Sequence, residues 1–110
     1  YFDAHGWNMA FNQQTGELVG IYDFADAGFG DVHQDFHPLN TISQDLVSAV
    51  IQKYEIWSGR SIDISKVNFY TVLAEYSDLF ETAQGQKTLM QKGLKHHIQQ
   101  IKRWENDIKF

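Results

Sequence analysis

Apolar and polar positions first alternate over residues 8–12 (NMAFN), which places Met9 and Phe11 on one face of a strand. QQTG at 13–16 is a turn, and Gly16 suits the positive φ such turns require. Residues 17–24 (ELVGIYDF) are rich in β-formers and read as a second strand. A four-residue connection predicts an antiparallel hairpin. Residues 1–7 lack either period and read as a loop. Residues 25–40 (ADAGFGDVHQDFHPLN) are rich in glycine and aspartate, and predict an ordered loop with a turn of helix near Asp35. Helical spacing takes over at 41–58, where Leu46, Val50, Tyr54 and Trp57 form one stripe. Thr41 or Ser43 is its N-cap, and Gly59 stops it. After a linker at 59–64, residues 65–84 predict a second helix, ended by Gly85. Phe69, Val72, Leu73, Tyr76, Leu79 and Phe80 run most of the way round it, which predicts a central, buried helix. Residues 86–110 predict a third. There Leu94, His97, Ile101, Trp104 and Ile108 recur at steps of three and four.

One hairpin leading into three helices is an α+β pattern, mostly α. It reads as a single domain over residues 1–110, with a loop-and-hairpin part at 1–40 and a helical part at 41–110. Register gives the hairpin a chemical end. If Asn12 opposes Glu17, Asn8 opposes Ile21 and Asp23 lies two residues beyond. Asn8 and Asp23 then meet at the open end, at a diagonal of roughly 7–8 Å. Two oxygen-bearing side chains at that separation reach one cation, or two adjacent ones.

Composition narrows the partners. The chain has 110 residues, 43% of them hydrophobic and 15% aromatic, enough for one modest core built on rings. The net charge of −5 argues against a nucleic-acid partner, which calls for a basic face. It suits a cationic substrate or a metal site, or is ordinary solubility charge. With no cysteine, disulfides, thiolate zinc sites and cysteine nucleophiles are excluded. No apolar run approaches the ~18 residues of a membrane span, and no signal peptide is visible, so the expectation is cytoplasmic, with no membrane partner. The abrupt start at YFDAHG predicts a fragment or an isolated domain.

The candidate chemistry lies in residues 1–35. Phosphoryl transfer from ATP requires a carboxylate to accept or orient the attacking hydroxyl, and oxygen ligands to hold magnesium against the phosphates. Magnesium keeps several waters, so one carboxylate and one amide suffice from the protein. Asp3, Asn8 five residues later, a hairpin, and Asp23 supply those parts in order. Kinase-like enzymes carry them as histidine-x-aspartate-x4-asparagine followed by a metal-binding aspartate.

On Asp3, Asn8, the TGELVGIYDF strand and the trailing DAGFGDVHQD, the sequence resembles the aminoglycoside phosphotransferase and choline kinase-like family. That family shows a loop of the form HGDLHPGN, a hairpin ending in I-D-[FW], a glycine, and an aspartate about twelve residues past the metal ligand. Gly28 and Asp35 fill the last two positions. The resemblance implies the C-terminal lobe of a protein kinase-like fold. It makes Asp3 the catalytic base, Asn8 and Asp23 the ligands of magnesium and hence of the ATP phosphates, and Asp35 a structural anchor of the catalytic loop. ATP and Mg2+ are the implied cofactors, and an aminoglycoside-, choline- or sugar-like alcohol the implied substrate. The chain departs from the pattern at Tyr1, where the family has a loop-bracing histidine, at Phe2, and at Gly6 and Trp7. The family's glycine-rich phosphate loop and ATP-contacting lysine belong to an N-terminal lobe and are not in these residues. The expectation is therefore part of a small-molecule kinase, inactive by itself. The alternative is a non-catalytic remnant or interaction domain that self-associates through apolar surface bared by the missing lobe.

Other residues carry weaker readings. Asp26 and Asp31 are candidates to face a cationic substrate, and are otherwise ordinary loop acids. Asp31, His33, Asp35 and His37 alternate as a metal cluster would, though without a helical metal motif. Glu75, Asp78 and Glu81 share a stripe that reads as a solvated face. Trp57 and Trp104 read as core, His97 as a core-boundary residue and His96 as exposed.

Overall fold

The computed structural model describes Tyr1, residues 3–84, Ile98, Gln99 and residues 101–104. Its elements are strands β1 (Met9–Phe11) and β2 (Leu18–Ile21), then helices α1 (His37–Ile42), α2 (Gln44–Ser58) and α3 (Ile64–Ala83). Short 3-10 turns at Gly6–Asn8 and Val32–Asp35 precede β1 and α1. The fold is α+β and mostly helical, as the pattern predicts. The chain divides into two compact units, Tyr1–Ile62 and Asp63–Phe110. The division falls after α2, so the candidate chemistry and α2 share the first unit.

The hairpin forms where the alternation ends. Asn12 makes its turn: its Oδ1 accepts from the backbone N–H groups of Gln14 and Thr15 at 2.8 and 3.2 Å, and its carbonyl from Gly16 at 2.8 Å. Gly16 has φ of 73°, which costs a residue without Cβ nothing. Asn12 N–H donates to the Glu17 carbonyl at 2.8 Å, so the register expected at the turn is present there. It does not persist. Phe11 faces Leu18, but Ala10 faces Gly20 and Met9 faces Ile21. A bulge between Ala10 and Phe11 inserts Val19 as an extra residue on β2. Asn8 consequently faces Tyr22, whose N–H donates to the Asn8 carbonyl at 3.0 Å, and not Ile21. Asp23 is one residue past the pair instead of two.

The predicted helix at 41–58 is two helices. Pro38 sits in the first turn of α1, where its missing N–H costs no bond. Ser43 breaks the run with extended backbone at ψ 137°, and its Oγ accepts from Leu46 N–H at 3.4 Å to cap α2. Thr41 lies inside α1. Gly59 ends α2 in the left-handed region, with φ of 70°. Glu55 reaches past it and accepts from Ile62 N–H at 2.7 Å. Phe36, Leu39, Val47 and Ile62 are buried apolar side chains of the first unit, and Tyr54 packs edge-on to Phe36 at 5.4 Å. A cavity of about 480 Å³ lies between the hairpin and these helices, lined by Met9, Ile21, Phe36, Leu39, Val50 and Tyr54 among others. Trp57 departs from the core assignment: it is 84% exposed, at the far end of the stripe beyond Tyr54.

In the second unit α3 starts one residue earlier than predicted and is buried on one side only. Val67, Asn68, Thr71, Val72 and Glu75 are buried, while Phe69, Leu73, Tyr76 and Phe80 are exposed. Glu75 overturns the solvated-face reading, since it is 6% exposed. The apolar ring that suggested all-round burial leaves its largest side chains outward, and the small polar Thr71 inward, where its Oγ1 donates to the Val67 carbonyl at 2.9 Å. Ile101 and Trp104 are helical and buried, in keeping with the predicted stripe. Leu94, His96, His97, Ile108 and most of the third predicted helix lie outside the described residues.

Gly59 offers a clean test of local design. A Cβ there meets nothing within 4 Å, so Gly59→Ala costs only the left-handed backbone, about 1 kcal/mol. Urea denaturation is expected to show that loss, and a smaller one for Gly59→Asn.

Candidate active site

The loop before β1 is wound on itself. Asp3 N–H donates to the Tyr1 carbonyl at 2.6 Å, His5 N–H to the Asp3 carbonyl at 2.8 Å, and Asn8 N–H to the His5 carbonyl at 3.0 Å. The 3-10 turn at Gly6–Asn8 carries Asn8 back toward Asp3. There the Asn8 amide nitrogen donates to Asp3 Oδ2 at 2.8 Å and to the Asp3 carbonyl at 3.1 Å. Both amide hydrogens are thereby used on Asp3, which leaves Oδ1 as the acceptor end of the side chain. Asn8 is buried, whereas the Asp3 side chain is 35% exposed.

Asp23 follows β2 with φ of 64°, the sole left-handed residue other than glycine among the described residues. Aspartate enters that region more readily than most residues, yet the conformation persists only where neighbours hold it. Tyr1 grips both neighbours. Its hydroxyl donates to the Tyr22 carbonyl, and its ring packs on Phe24 with centroids 4.5 Å apart. The Tyr22 hydroxyl in turn donates to the Trp7 carbonyl, tying the strand end to the loop. Tyr1 backbone nitrogen donates to Asp35 Oδ1 at 2.8 Å. Asp35 thus holds the start of the loop from the 3-10 turn before α1.

The Tyr1 phenol reports on the group as a whole. Its pKa is raised above 10.0, first by desolvation and then by the negative charge of Asp3. The Asn8 side chain pulls the other way, and Asp23 and Tyr22 raise it further.

Other candidates lie apart from this arrangement. Asp31 caps the Val32–Asp35 turn by accepting from His33 N–H at 3.1 Å, and it pairs with His33 Nδ1. Asp26 is exposed in the turn where Ala27 N–H donates to the Phe24 carbonyl at 3.0 Å. His37 Nδ1 lies 2.7 Å from the Gln34 carbonyl. Among the described residues no group of three or more His, Cys, Asp or Glu is arranged for a metal, so the alternation at 31–37 does not make a cluster. An amide and a carboxylate with waters and phosphate oxygens is a different donor set, and Asn8 and Asp23 have the hard oxygen chemistry that magnesium takes. Sequence reasoning passed over His5, whose Nε2 lies 3.1 Å from Asp3 Oδ1. The available signal was the second histidine of the HGDLHPGN pattern, which falls on His5.

A loop-borne aspartate clasped by an asparagine, with a second aspartate after the next hairpin, is the order of residues on which the family resemblance rests. The profile of the phosphotransferase enzyme family matches residues 1–70, more than half of the chain, and the chain belongs to that family. No curated protein and no solved structure matches it at a significant level. Among the described residues no helix is long and apolar enough to cross a membrane.

Because the folded protein keeps a proton on Tyr1 that the unfolded chain releases, stability contributed by Tyr1 is fully present below pH 10.0 and falls as pH rises through the folded value. Ultraviolet titration of the protein against Tyr1→Phe isolates this phenol. Its midpoint is expected above 10.0; one at or below that value contradicts the desolvated, anion-flanked setting.

Proposed function

We propose that the chain is the C-terminal catalytic-lobe portion of a small-molecule kinase that moves the ATP γ-phosphate to an alcohol. The observation that carries the reading is the clasp of Asp3 by the Asn8 amide in the loop before β1, with Asp23 at the end of the hairpin that follows. Asp3 is the base: it is partly exposed, and its carboxylate is fixed from behind by Asn8. Asn8 Oδ1 and the Asp23 carboxylate are the magnesium ligands. Magnesium held by these two residues would supply positive charge to neutralise that developing on the phosphates. Asp35 anchors the loop through Tyr1, so a shift of α1 would move the base. The nucleotide-covering glycine-rich loop and lysine are assigned to protein outside these residues. The acceptor is an aminoglycoside-, choline- or sugar-like alcohol, and the acidic turn with Asp26 suits one that is cationic. A cytoplasmic setting accords with soluble ATP and alcohol substrates.

In the full-length protein, Asp3→Ala is expected to lower turnover by about 10²- to 10⁴-fold, with an unchanged far-ultraviolet circular dichroism spectrum. A screen over aminoglycosides, choline, sugars and amino alcohols supplies the acceptor for that measurement. Undiminished turnover in Asp3→Ala would end the assignment.

Exposed apolar side chains favour a second reading, a non-catalytic domain that self-associates. Trp7, Val19, Phe24 and Phe29 are all exposed on the loop and hairpin. Under this reading the 110-residue chain sediments as a dimer or larger species, and a monodisperse monomer removes it.

A further inference from the structure

The Asp3 carboxylate is held on both oxygens. Oδ2 accepts from Asn8, and Oδ1 lies 3.1 Å from His5 Nε2. The other nitrogen of the same ring, Nδ1, is buried and has no hydrogen-bond partner among the described residues. A neutral imidazole carries its one hydrogen on either nitrogen, and the neighbour of each decides which. On Nδ1 the hydrogen would be a buried donor without an acceptor, and Asp3 Oδ1 would confront a lone pair. On Nε2 it meets a carboxylate oxygen. Asn8 Nδ2 also approaches His5 Nε2, at 3.4 Å, but both its hydrogens already go to Asp3. The asymmetry of the two ring nitrogens therefore selects the Nε2–H form.

We infer that His5, as its Nε2–H tautomer, is a positioning residue that holds Asp3 Oδ1 and so aims the carboxylate at the acceptor hydroxyl. The inference rests on the reading of Asp3 as the base. With Oδ1 tied to His5 and Oδ2 to Asn8, the carboxylate plane cannot turn about the Cβ–Cγ bond without breaking one of the two bonds. Its remaining lone pairs then face outward in a fixed direction, toward the exposed side of the residue. Removing His5 leaves Asn8 as a single pivot. The loss falls on the orientation of the base, hence on kcat, and spares nucleotide binding.

Two measurements on the full-length protein test this. Long-range ¹H–¹⁵N correlation spectra report the ring form of His5 directly, and the Nε2–H tautomer is expected. An Nδ1–H form overturns the inference, as does a freely exchanging mixture. ADP release in magnesium, with choline, glucose or kanamycin as acceptor, gives the kinetic arm. His5→Ala is expected to lower kcat about tenfold to a hundredfold with KM for ATP within about twofold. His5→Gln, whose terminal amide reaches the place of Nε2, is expected to recover most of it. His5→Asn, whose amide reaches only the place of Nδ1, is expected to stay with the alanine variant. Equal rescue by both amides, or a flat His5→Ala beside an inactive Asp3→Ala, overturns the inference alone. An active Asp3→Ala overturns the base, and the inference with it.

Discussion

The amide of Asn8 on Asp3 is the contact on which the rest of the site depends. It closes a loop whose backbone already turns at Asp3, His5 and Asn8 through three short-range bonds. Without it these turns would set the path of the chain but not the direction of either side chain. With it, one group performs two tasks. The nitrogen end orients the Asp3 carboxylate, and that choice leaves the oxygen end as the acceptor that a cation would meet under the proposed function. A bond from a neutral donor to a charged acceptor is also stronger than one between neutral groups, so the clasp is suited to a partly exposed position. Asn8 is buried beside a partly exposed Asp3, so the amide is shielded and the carboxylate is not.

Asp23 is held by different means. A regular strand would send successive side chains to opposite faces, and the residue after Tyr22 would point away from the face that Asn8 shares with Tyr22. The left-handed backbone at Asp23 ends that alternation. It is maintained by Tyr1, which fixes the carbonyl before it and the ring after it. Tyr1 also carries the Asp35 bond on its nitrogen, so a single residue couples the Asp3–Asn8 loop, the strand end at Asp23 and the turn before α1. The departure from the family's histidine is thus compatible with bracing of the loop. A phenol reaches the Tyr22 carbonyl and presents a ring of the right breadth for Phe24.

Much of this was legible in the sequence where a local rule sufficed. QQTG with its Gly16 marked the turn, Gly59 stopped α2, and Ser43 was one of two caps named for it. Asp3, Asn8 and Asp23 stood out because their order and spacing match a known chemistry. What escaped was whatever depended on a second segment. Val19 is an ordinary strand residue, and nothing in ELVGIYDF marks it as the bulge. Its extra place emerges only when β2 must satisfy both the Asn12 turn and the Asn8–Tyr22 pair. Trp57 follows the apolar stripe of α2 yet is exposed, because helical spacing does not say how far along a helix the cover extends. Glu75 shares a stripe with Asp78 and Glu81, but helical spacing alone does not say which side of α3 is covered. His5 falls on the second histidine of the HGDLHPGN pattern, but the pattern does not say which side chain the ring turns toward.

The bulge joins these strands of argument. Continued from the turn without interruption, the register would pair Asn8 with Ile21 and leave Tyr22 unpaired between the pair and Asp23. One additional residue moves Tyr22 into the pair, where its N–H meets the Asn8 carbonyl and its hydroxyl the Trp7 carbonyl. The strand end is then fixed immediately before Asp23, not two residues short of it. Since a one-residue slip exchanges the faces of every side chain beyond it, the insertion also decides which residues of β2 line the cavity. Leu18 and Ile21 line it, while Val19 stands out at 64% exposure. A device commonly used to re-aim a side chain beside a functional site here sets Asp23 one residue past the Asn8–Tyr22 pair. Its cost is an exposed valine on a short strand, which three-residue β1 and four-residue β2 tolerate because so little edge is left to pair with another chain.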